Sequence, residues 1–76
     1  MKEETLKRAI KIYDSINCID YAADFVSKHE SVFITIQSGF KEGSQSAGFT
    51  KEVQGFLIYE ALPMYRKRLV DELDKL

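Results

Sequence analysis

The chain has 76 residues, 45% of them hydrophobic, and its 11 basic and 12 acidic side chains leave a net charge of −1. One small domain spanning residues 1–76 follows from that length, and a single core of this size gains only about 3–5 kcal/mol, so small folds lean on disulfides, metals or oligomers. Cys18 is the only cysteine and His29 the only histidine, which excludes an internal disulfide, argues against a metal cage and leaves self-association as the expected staple.

Residues Glu3 to about Lys28 read as one long helix, because no Gly or Pro occurs before Gly39. Thr5, Ala9, Ile12, Ile16, Ile19, Ala23 and Val26 recur at alternating steps of four and three, a heptad seam. A helix of about 26 residues is about 39 Å long, too long to pack only within so small a body. Acid precedes base by four residues at Glu3–Lys7 and Glu4–Arg8, which favours ion pairs along the exposed side. A second apolar set, Leu6, Ile10, Tyr13, Cys18, Tyr21 and Phe25, falls on the opposite half of the helix, interrupted by Asn17 and Asp24. One partner helix buries one stripe, so the second is either a subunit interface or a cover for the following hairpin.

Ser31–Gly39 is the clearest strand. Val32, Ile34 and Ile36 alternate with Phe33, Thr35 and Gln37, which puts the three aliphatics on one face, toward the helices, and Phe33 on the other. Gly39–Gly43 is a turn signal and Ser44–Phe49 the expected return strand. The hydroxyl, amide and glycine groups around Ser38, Ser44 and Gln45 suit phosphate or ribose oxygens as well as a plain turn. Lys41-Glu42-Gly43-Ser44 lacks P-loop spacing. The free edge of a weak hairpin can also pair with another copy or with a host protein.

Thr50 is placed to cap a second helix, with Glu52 in its first turn. Ile58, Leu62, Tyr65, Leu69, Leu73 and Leu76 form its seam, matched to the first helix in an antiparallel pair. Val53, Leu57 and Met64 make a second stripe on its first half. Residues 53–62 fit helix better than strand because the seam stays in phase across Pro63. Gly55 costs about 1 kcal/mol in a helix interior, and Pro63 predicts a kink or break near Ala61–Pro63. Arg66-Lys67-Arg68 is the only basic cluster, but its side chains point about 100° apart, so they form no basic face, and Lys67–Asp71 and Arg68–Glu72 have pairing spacing.

The fold class expected is therefore α+β: a long N-terminal helix, a two-stranded β-hairpin and a kinked C-terminal helix packed antiparallel on the first. No run approaches the roughly 20 apolar residues of a membrane span, the N-terminus shows no apolar signal core, and the even charge distribution suits neither nucleic acid nor a membrane surface. A lone cysteine fits a reduced, cytoplasmic setting. No serine sits in a Gly-x-Ser-x-Gly elbow, and Cys18 reads as a packing residue. The acidic pairs Asp20/Asp24 and Asp71/Glu72/Asp74 read as solvated faces. The expectation is a non-enzyme without catalytic residues or cofactors.

The run Arg8-Ala9-Ile10-Lys11-Ile12-Tyr13, followed by a strand ending Ile34-Thr35-Ile36-Gln37-Ser38-Gly39, a hairpin and a second helix, resembles a recurrent class of very small proteins of bacteriophages and prophages. The resemblance covers the whole chain as a pattern, without a diagnostic motif, and Gly55 and Pro63 depart from the uninterrupted second helix of that pattern. It implies a phage accessory protein in the host cytoplasm, one able to block a host process. Such a protein acts by binding, with itself as first partner and a small nucleotide or a host protein as second. For a nucleotide held at a subunit interface, Tyr13, Tyr21, Phe33, Tyr59 and Tyr65 are the stacking candidates. Ser38, Ser44, Gln45, Arg66 and Arg68 are the polar ones. The remaining alternative is a purely structural coiled-coil module.

Overall fold

The computed structural model describes residues 2–39, 43 and 45–76. Helix α1 runs Glu3–Lys28, strands β1 and β2 are Thr35–Gln37 and Ser46–Gly48, and helix α2 runs Lys51–Phe56. A π-helical turn, Leu57–Ala61, leads directly into helix α3, Leu62–Asp74. The architecture is the α+β helix–hairpin–helix expected from the sequence.

Helix α1 begins with Glu3 and Glu4 in its first turn, where carboxylates meet the positive end of the helix dipole. It ends without glycine: the His29 backbone N–H donates to the Val26 carbonyl, and its ring Nδ1 lies 2.7 Å from the Phe25 carbonyl. That distance to an acceptor requires the proton on Nδ1. The His29 ring also stacks on Phe25, with centroids 4.0 Å apart.

Helices α1 and α3 pack antiparallel. Ile12, Ile16 and Ile19 of α1 close over Leu69, with Leu62, Val70 and Leu73 packed around them. Ile12 is fully buried and Leu69 is 2% exposed. Two forked ion pairs flank this seam, one on each side. The Arg8 guanidinium donates to both oxygens of Glu72, each at 2.7 Å, and Arg66 donates to Asp20 at 2.8 and 3.2 Å. Residue 8 meeting 72 and residue 20 meeting 66 reflects the antiparallel direction of the two helices. Arg8 therefore reaches across to α3 where the spacing suggested Glu4, and Glu72 turns to α1 where it suggested Arg68. Glu3–Lys7 does form along the helix, at 3.3 Å.

The strand is shorter than its hydrophobic pattern predicts. β1 and β2 pair antiparallel through Thr35–Gly48, Ile36–Ala47 and Gln37–Ser46. Val32 and Ile34 are half-buried as expected, but Ile36 is exposed: the hairpin extends beyond the helices, so their shared face finds no cover there. The turn expected at Gly39–Gly43 falls mostly on residues 40–42, which, like Ser44, lie outside the described residues. Residues 32–34 form an extended arm between the helices and the hairpin. Gln54 of α2 clamps it, accepting the Ile34 backbone N–H at 2.7 Å and donating to the Val32 carbonyl. One side-chain amide thus stands in for a neighbouring strand.

Thr50 caps α2 as expected, its hydroxyl accepting the Val53 N–H at 3.3 Å. Of the kink or break expected near Ala61–Pro63, no break occurs, since the chain stays helical from Lys51 to Asp74. The irregularity takes the form of the preceding π turn, in which the Leu62 N–H bonds back to the Leu57 carbonyl. Pro63 lacks an N–H, and its ring would collide with the carbonyl four residues back in a regular helix. Widening the turn just before it relieves that collision.

Candidate functional site

The predicted seam closes over only part of its length. From Ala9 to Ile19 it is buried, whereas Ala23 is exposed and Val26 and Ile58 are half-buried. Beyond the Asp20–Arg66 pair the helices part, because the arm 32–34 lies between their ends. The gap is an open groove of about 460 Å³. Ile19 to Val26 of α1 form one wall, Ile58, Leu62 and Pro63 the other, and Val32, Phe33 and Ile34 close the end. Among the described residues, Asp20 and Arg66 are the only charged ones in its lining, and they are paired with each other.

That pair is polarised toward the charged forms. The Arg66 hydrogen bonds hold the Asp20 carboxyl below the usual carboxylate range, and Arg8 does the same for Glu72. The groove therefore offers apolar wall and aromatic edge, with a neutralised ion pair at its rim. A second hollow, about 350 Å³, lies on the other side of the arm, lined by His29, Phe49, Gln54, Gly55 and Tyr59 among others. Phe33 borders both hollows and is 79% exposed.

Of the predicted ligand residues, the structure gathers Tyr21, Phe33 and Arg66 at the first groove and places Tyr59 beside Phe33 at the second hollow. The others do not join them. Tyr13 stands exposed on the outer face of α1, and Tyr65 and Arg68 are exposed on α3. The Ser38 hydroxyl donates to the Gly43 carbonyl and accepts the Gln45 N–H, so both residues close the hairpin. Ser44 lies outside the described residues. Cys18 is exposed, contrary to its reading as a packing residue, because it belongs to the stripe that this chain leaves uncovered.

Sequence reasoning missed Asp20, Gln54 and Pro63 as parts of the site. Asp20 was legible only as one of two acids a turn apart, and nothing in a single sequence pairs it with a residue 46 positions away. Among the described residues, no group of three His, Cys, Asp or Glu side chains is placed to hold a metal, and no helix is long and apolar enough to cross a membrane. No protein-family model, curated protein or solved structure matches the chain.

Proposed function

We propose that this chain is a non-enzymatic, self-assembling binding protein, an accessory protein of a phage or prophage that works in the host cytoplasm. The observation that carries the assembly part is surface. A folded monomer of 8.8 kDa is expected to expose about 4,800 Å², and this chain exposes 6686 Å². The excess, about 1,900 Å² per chain, is within what each subunit of an obligate dimer loses and more than twice the roughly 800 Å² per partner of a standard interface. The radius of gyration agrees: 15.5 Å against about 11 Å for a compact chain of this length.

The composition of that surface points the same way. Among the described residues five hydrophobic side chains are buried, while thirteen large ones are exposed, including Leu6, Ile10, Tyr13, Tyr21, Phe25, Phe33 and Ile36. A monomer rarely leaves so much apolar area to water. The accessory role rests on the sequence resemblance alone.

The nucleotide-sequestering version draws on fewer observations. Tyr21, Phe33 and Arg66 share the groove, but an anionic ligand has to displace Asp20 from Arg66. The host-protein version draws on the two free edges of the short hairpin and on Phe33. Sedimentation equilibrium tests the assembly: a dimer or larger species at micromolar concentration is expected, and a stable, folded monomer refutes it. Native mass spectrometry of protein taken from cells then separates a retained nucleotide from a co-purified polypeptide.

A further inference from the structure

We propose that a second copy of this chain closes the groove in a two-fold contact, with the Phe33 of each copy seated in the groove of the other. This rests on the self-assembly reading and names the surface that carries it. The groove is the unfinished part of the heptad seam. Ala23 and Val26 on α1 continue the phase of Ile12, Ile16 and Ile19, as Ile58 and Leu62 on the second helix continue that of Leu69. Within one chain these residues face each other across a gap held open by the arm. They require an apolar occupant.

Phe33 is the matching knob. Its neighbours Val32 and Ile34 turn inward and are half-buried, so strand alternation sends Phe33 outward from the rim of the groove. A knob and a hole on the same patch are what a two-fold contact needs, since each copy then gives and receives the same side chain. Electrostatics permit the approach: the charged lining residues, Asp20 and Arg66, already neutralise each other, and the net charge of −1 brings little repulsion between copies. A buried phenylalanine also supplies about 150–250 Å² of the area that must be covered.

The test places the photo-crosslinking residue p-benzoylphenylalanine at position 33 of the full chain, mixing isotopically light and heavy protein. Irradiation is expected to give a species of twice the chain mass. Its link should join position 33 of one copy to the tryptic peptide Ile12–Lys28 or Glu52–Arg66 of the other. Phe33→Glu is expected to weaken association by about a hundredfold, because a charge replaces a buried ring, whereas Asp14→Asn, at an exposed polar position outside the groove, should leave it unchanged. A dimer whose links fall in residues 2–11 or 67–76 overturns this contact while self-assembly stands. A folded monomer by sedimentation overturns both. Links to a different polypeptide in cells, or a co-purified nucleotide that suppresses the link, replace the second copy as occupant and also overturn it.

Discussion

Ile12 is the side chain on which the helix pair depends most. It is fully shielded and packs with Ile16, Ile19 and Leu69 at the centre of the seam. Truncation to alanine removes its transfer free energy and leaves a cavity, about 2–5 kcal/mol together, whereas Ile12→Val costs about 0.5–1.5 kcal/mol. A core of this size supplies about 3–5 kcal/mol in all, so Ile12→Ala should leave the chain largely unfolded at low concentration and Ile12→Val should not. Ile10, two residues earlier and half-exposed, provides the contrast: Ile10→Ala should stay within about 0.5 kcal/mol. The assay is urea unfolding followed by helical circular dichroism at several protein concentrations. The proposed assembly would add stability by mass action and raise the midpoint as concentration rises. Equal costs for Ile10→Ala and Ile12→Ala would refute the packing described here, since only one of the two is buried in a single chain.

The acid limb of stability should come from Asp20 and Glu72. Both are held below their ordinary values in the folded chain, so the unfolded chain binds more protons in that window. Their contribution is complete above the ordinary carboxylate value of about 4 and is lost as pH falls through the lower folded values. Asp20→Asn and Glu72→Gln should flatten the stability profile there, and an unchanged acid limb would show that these ion pairs do not stabilise the fold. Gln54→Ala breaks both hydrogen bonds to the arm, a loss of about 1–3 kcal/mol, and amide exchange at Ile34 should accelerate at least about tenfold while the α1–α3 core stays protected. Gly55→Ala should stabilise the second helix by about 1 kcal/mol, because an added Cβ meets nothing within 4 Å; destabilisation would mean that something outside the chain approaches that position.

Periodicity made the fold legible. The bounds of α1 were readable because a seam of seven residues runs unbroken from Thr5 to Val26, and Thr50 announced the start of the second helix by its chemistry. The extent of closure was not readable. A heptad pattern states which side chains face a partner, and it is silent on whether that partner is in the same chain, so Ala23 reads like Ile16 although only Ile16 is buried. The strand was over-extended for the same reason: Ile36 continues the alternation of Val32 and Ile34 but emerges beyond the helices. Asp20 and Arg66 were visible separately, and their pairing, which marks where the helices part, depends on a register that only the packed helices define.

Helix lengths explain why the site lies where it does. Helix α1 has 26 residues and α3 has 13, about 39 and 20 Å at 1.5 Å per residue. The straight partner therefore spans about half of α1, the half bounded by Arg8–Glu72 and Asp20–Arg66. Past that point α2 and the π turn continue the second helix, but an open groove separates them from α1, its end closed by the arm that Gln54 holds. Closing the seam within one chain would mean expelling Val32 and Ile34 to solvent and breaking two hydrogen bonds. Closing it with another chain exposes neither residue and covers Phe33 as well. The open end of the seam is thus the surface proposed to receive a second copy.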